Sequence, residues 1–259
     1  MPTLRHFVSL ALALALALPL EAQTRPIMAV FAHPDDERVV GPMLHRLARQ
    51  GREIHLVIAT DGSKGVREHA GVPAGKALAD ARKLEAECAA KRLGVRLHMF
   101  GLEDGGLASF ANLGTLRTQL GDLVARVQPA TIITFGPEGG TGHPDHRLVG
   151  NVTTEVVQRD QTQASVDLLY ASLPAERLKT APRASPTVNG VAESLLTVRF
   201  PVEEQDVIAG RESFACHHTQ YTPAEMAAIN AYLAHAWNGV NYLRPWNGAL
   251  RNPSAWPAR

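Results

Sequence analysis

Two short runs concentrate the residue types that hold metals and move protons. The first is Ala32-His33-Pro34-Asp35-Asp36-Glu37 and the second is Gly142-His143-Pro144-Asp145-His146. Each sets imidazole and carboxylate groups around a proline that holds a turn. His33 and Asp36 are three residues apart, a spacing that can aim both side chains at one point. His146 would complete a His/His/Asp set. Three protein ligands and one open position is the arrangement of a catalytic zinc; a structural zinc is closed and more often uses cysteine. The mixed nitrogen and oxygen set suits Zn2+ and does not exclude another divalent metal. Asp35 is then free to act as a base, and His143 to meet charge developing on an oxygen. A plainer reading stands beside this one. Asp35 or Asp36 could cap a helix at Glu37, and Asp145 could cap the next. Either motif alone fits both readings, whereas two motifs at matching positions favour the metal.

The elements between the motifs decide whether they can meet. Apolar runs at 27–32, 54–59, 95–100, 131–135, 168–172 and 195–200 read as strands. Helical spacing covers 37–50, where Val40, Met43, Leu44 and Leu47 share a face, and 76–93, which Gly94 ends. Further helices are expected from an Asn112 cap to Val127, over 145–158, over 203–216 and over 223–235. Residues 177–190 read as a surface excursion, and 238–259 as an irregular but packed tail. Alternating strands and helices predict an α/β fold: a Rossmann-like three-layer α/β/α arrangement with a mainly parallel central sheet. Such sheets bind ligands beyond the carboxyl ends of the strands, where the strand order reverses. Both motifs fall directly after strands, as that rule requires. No G-x-G-x-x-G follows the first strand, and the glycines of 136–142 lack the Gly-Lys-Ser/Thr ending of a phosphate loop.

Composition narrows the classes. The 259 residues are 45% hydrophobic, and 26 basic residues balance 25 acidic ones. That excludes a disordered chain and gives no basic stripe for nucleic acid. Residues 1–22 read as an export signal, with Arg5 and His6 ahead of an apolar run at 7–20 and cleavage before Gln23. The run is too short to span a bilayer, and no later segment is apolar for long enough. Residues 23–259 then form a single domain, periplasmic or extracellular, with no stable membrane insertion and an oligomeric state left open. Cys88 and Cys216 could pair in such a compartment or remain two separate buried thiols. Trp237, Trp246 and Trp256 are expected as packing anchors rather than sugar platforms.

The two motifs resemble those of the PIG-L/LmbE-like family of zinc-dependent deacetylases of N-acetylated sugars. Weaker matches are Thr60-Asp61-Gly62-Ser63-Lys64-Gly65, Arg82-Lys83-Leu84-Glu85 and His218-Thr219-Gln220. The resemblance implies that His33, Asp36 and His146 bind zinc and that Asp35 is the general base. It implies that a protonated His143, oriented by Asp145, stabilises the oxyanion. It also implies that Arg82, Asp104 and His218 contact a small or oligomeric N-acetyl sugar. Family members are commonly cytoplasmic or face the cytosol, so an export signal argues against intracellular substrates such as thiol precursors. Alternatives carried forward are an amidase for a larger acyl or conjugated amide, a metalloesterase, and a non-catalytic carbohydrate binder.

Overall fold

The computed structural model describes residues 25–159, 166–182 and 188–251. The export-signal and cleavage readings and Trp256 lie outside the described residues. Seven strands form one sheet: β1 (Ile27–Phe31), β2 (Ile54–Thr60), β3 (Arg96–Leu102), β4 (Thr131–Phe135), β5 (Asp167–Ser172), β6 (Val198–Pro201) and β7 (Val240–Pro245). Their order is β3-β2-β1-β4-β5-β7-β6. The first five are parallel, while β7 runs antiparallel to both β5 and β6.

The central strand β1 reads IMAVF, and every residue in it is buried. A strand covered on both faces carries such an unbroken apolar run. Ile27, Ala29 and Phe31 meet Met43, Leu44 and Leu47 of α1 (Gly41–Arg49) on one face. Met28 and Val30 meet α3 (Phe110–Val127) and α4 (Pro144–Arg159) on the other. Between them in the chain, α2 (Lys76–Leu93) lies with α1 and α5 (Glu204–Phe214), and α6 (Pro223–Trp237) follows. The three-layer α/β/α expectation holds. The chain builds β2 and β3 to one side of β1 and returns to place β4 on its other side. The loops after β1 and β4 therefore open at one crevice, where the strand order reverses.

Local departures have physical causes. The expected helix over 37–50 divides into a 3-10 turn, Asp36–Val39, and α1. Val40 leaves helical geometry at φ −132°, and Pro42, which lacks an N–H, sits in the first turn of α1. The cap of α3 is Ser109, whose side chain accepts from Asn112 N, rather than Asn112. Neither Asp35 nor Asp36 caps a helix through its side chain. Part of the expected irregular tail is β7, which fills the gap between β5 and β6 and buries Tyr242 and Leu243. The cysteines are a disulfide, Cys88 of α2 to Cys216 just beyond α5.

Candidate active site

Hydrogen bonds fix the tautomers of the two motif histidines. His146 Nδ1 lies 2.9 Å from Gly139 O, so it carries the hydrogen and leaves the Nε2 lone pair free. His33 Nε2 lies 3.2 Å from Asp104 Oδ1 and 3.3 Å from Asp145 Oδ2, which leaves the Nδ1 lone pair free. Those two nitrogens face each other at 3.1 Å. Asp36 supplies the third corner, with Oδ1 3.1 Å from His146 Nε2 and Oδ2 3.6 Å from His33 Nδ1. Backbone N–H groups of Ala32 and His33 donate to Asp36 Oδ2 and hold that carboxylate in place. Phe135 stacks on the His146 ring at 4.3 Å.

The donor set fits a divalent metal. Two ring nitrogens and a carboxylate oxygen converge there inside the protein, a set that a divalent cation could bridge. Zinc bonds of about 2.0–2.1 Å in tetrahedral geometry put ligand atoms roughly 3.3 Å apart, close to the separations here. The pairing of each ring's second nitrogen with a carboxylate or a carbonyl is the usual support of a metal-binding histidine. Burial disfavours charge on these groups, yet their mutual contacts win. Asp36 is held below the usual carboxylate range by His146 and His33, and His33 is raised by Asp104, Asp145 and Asp36. Asp104 is opposed by burial and still held at about 2, chiefly by its hydrogen bond to His33.

Asp35 sits beside this corner in a strained backbone, at φ 112°. A non-glycine residue in that region costs on the order of 1–3 kcal/mol and needs its surroundings to hold it. Its N–H donates to Glu37 Oε2, and its carbonyl accepts from Arg38 Nη1 at 2.7 Å. Its carboxylate accepts from the Tyr221 hydroxyl at 2.7 Å and lies near Arg38 and Arg82. Behind it, Glu37 Oε1 meets the fully buried His217 at 2.6 Å.

His143 joins the cluster through ring contacts with His33 and His146. Its Nδ1 accepts from the backbone N–H of Asp145, so Nε2 carries the hydrogen of the neutral ring. Burial, with the charges of His33 and His146, lowers its pKa. A bound cation would act in the same sense. The carboxylate of Asp145 does not orient it. That group accepts from His33 and from Gly105 N, because the backbone of Asp145 already satisfies His143.

The three residues expected at the sugar have these surroundings in the protein. Arg82 is buried, with its guanidinium on the carbonyls of Gly62 and Pro34. Gly62 allows this approach, since a Cβ there would come within 2.5 Å of Arg82 Nη1. Asp104 is committed to His33 and to Lys64 N. His218 is exposed beside the disulfide, with Nδ1 on Cys216 O and Glu85. Sequence reasoning passed over Glu37, Arg38, His217 and Tyr221. Glu37 and Arg38 adjoin the first motif, but His217 and Tyr221 meet it only through folding. A cavity of about 460 Å3 opens at Asp36 and His146, with Arg38 and Tyr221 along its wall and Leu173, Ile229 and Leu233 among its apolar lining.

The family model PIG-L, described as GlcNAc-PI de-N-acetylase, matches residues 28–157, which include both motifs. A 1D-myo-inositol 2-acetamido-2-deoxy-alpha-D-glucopyranoside deacetylase of Corynebacterium glutamicum (strain R) is 29% identical over 260 residues, covering 89% of this chain and 87% of that protein. The N,N'-diacetylchitobiose deacetylase from Pyrococcus horikoshii superposes with TM-score 0.63 at 19% identity, over 93% of each chain. GalB, the 4-carboxy-2-hydroxymuconate hydratase of Pseudomonas putida KT2440, superposes with TM-score 0.58 at 17% identity, over 85% of this chain and 94% of GalB. These two likenesses speak for the fold and not for the reaction. The family match spans half of the chain, and the chain belongs to the PIG-L family of de-N-acetylases.

Proposed function

We propose that the chain is an exported, zinc-dependent hydrolase that removes the acetyl group from an N-acetylglucosamine-type sugar. One observation carries the reading: the facing lone pairs of His33 and His146, closed by Asp36, beside the buried carboxylate of Asp35. In this reading His33, Asp36 and His146 hold the ion. Zinc bound there supplies Lewis acidity toward an amide carbonyl and toward water. Asp35 takes the proton of the attacking water. His143 donates its Nε2 hydrogen to the amide oxygen as negative charge grows on it. The proton on Asp35 passes to the departing nitrogen, and acetate and a free amine leave. Asp104 and Asp145 act behind His33, fixing the tautomer that presents Nδ1.

Export rests on the sequence of residues 1–22 and is supported by the Cys88–Cys216 bond, since disulfides persist in oxidising compartments. It favours envelope or extracellular glycans as substrates. The test is acetate release by the chain from Gln23 onward, supplied with zinc. GlcNAc, chitooligomers, GlcNAc-inositol and peptidoglycan fragments are the substrates, with Asp35→Asn as control. Release by the wild type, cut at least a hundredfold in the variant, supports the reading. No release from any of them, with zinc bound, refutes it. The apolar lining of the cavity favours a second reading, an amidase for a larger acyl group. Faster cleavage of N-hexanoyl than N-acetyl glucosamine would select it.

A further inference from the structure

We propose that Tyr221 is a positioning residue that fixes the direction of the Asp35 carboxylate, an inference that rests on the deacetylase reading above. Asp35 has two rotatable side-chain bonds and sits in a strained turn, so its direction is not set by its own backbone. The Tyr221 hydroxyl donates to one oxygen, Oδ2, at 2.7 Å. Oδ1 has only the longer approaches of Arg38 at 3.4 Å and Arg82 at 3.6 Å. Among the described residues, the one short side-chain contact on the carboxylate is therefore the tyrosine.

A strut works only if its far end is fixed, and this one is fixed residue by residue. Cys216 is bonded to Cys88 of α2. His217 is paired with Glu37. Thr219 donates through N and Oγ1 to Glu85, at 2.6 and 2.8 Å. Gln220 donates to Gly65 O at 2.9 Å. The Tyr221 ring packs against Phe214 and under the Arg38 guanidinium, the same guanidinium that holds the Asp35 carbonyl. The segment 216–221 thus ties α2 and the 3-10 turn to one point, the base.

Tyr221 also lines the cavity, so a substrate contact is the rival role. Tyr221→Phe separates the two, because it removes the hydroxyl and keeps the ring. Misdirecting a reacting group costs roughly tenfold to a hundredfold in rate. The expected result is a fall in kcat of about that size, with KM, zinc content and melting temperature unchanged. In an Asp35→Asn background the same substitution should cost nothing further, since the group it directs is gone. A change in KM alone, an equal loss in both backgrounds, or an unchanged kcat overturns the proposal. If the wild type releases no acetate, the reading of function fails and the crystal structure of Tyr221→Phe decides this one. An Asp35 carboxylate rotated from its present direction supports the strut; an unmoved carboxylate overturns it.

Discussion

Glu37 Oε1 and His217 Nε2 lie 2.6 Å apart, both essentially without solvent exposure and 180 residues apart in the chain. Burial alone would lower the His217 pKa, and the Glu37 carboxylate reverses this and raises it. Removing one member leaves the other charge without compensation. His217→Ala is expected to destabilise the protein by about 3–5 kcal/mol, measured by urea denaturation at neutral pH. A loss under about 1 kcal/mol would show that the pair does not hold the first motif to the segment beyond α5.

Metal content separates the ligand from the base. His146→Ala should purify with little bound zinc and little activity, read by atomic absorption beside acetate release. Asp35→Asn should keep its zinc and lose at least a hundredfold in kcat, roughly the worth of general acid–base catalysis. Full zinc occupancy in His146→Ala would end the assignment. Chelation of the wild type should lower its melting temperature, and added zinc should restore it, because a ligand that binds only the folded state stabilises it.

His143→Ala should lower kcat on the order of a hundredfold to a thousandfold, the usual loss of an oxyanion donor. Its zinc content should match the wild type. Loss of zinc in this variant would instead make His143 a ligand, which its ring contacts with His33 and His146 would permit sterically.

Asp206 gives a stability prediction away from the metal. Its carboxylate accepts from Arg49, His45 and Glu203 N. Burial would raise its pKa, but the Arg49 hydrogen bond and the others lower it. A carboxyl lowered on folding stabilises fully above its unfolded pKa of about 3.9, and that stability is lost as pH falls through the folded value. Asp206→Asn should therefore cost about 1–3 kcal/mol at pH 7 and distinctly less near pH 3. Urea curves at the two pH values check the sign; a cost that grows in acid would contradict it.

The five parallel strands and the placement of both motifs were legible because each signal is local. IMAVF in β1 and TIITF in β4 declare buried parallel strands, and the motifs follow them directly. Convergence of His33, Asp36 and His146 followed from spacing and the sheet rule together. What escaped depends on contacts remote in sequence. VNYLRP in β7 shows no clean alternation and is a strand only because β5 and β6 leave a slot for it. The contact of Asp104 with His33 depends on the packing of the loop beyond β3, which no local pattern shows. Tyr221 and His217 carry no motif that points across 180 residues. The cap of α3 shows a narrower fault: Ser109 and Asn112 are both capping types, three residues apart, and the hydrogen bond runs from one to the other.

The slot filled by β7 has a kinetic consequence. β6 touches the sheet only through β7, so neither edge of that slot can close until residues 240–245 have arrived. Residues 27–172 supply the half of the sheet that carries the motifs, and β7 and β6 complete it from chain that is synthesised later. In a nascent chain that edge of β5 would lack its partner until residues 240–245 had been made, and would be open meanwhile to wrong pairings.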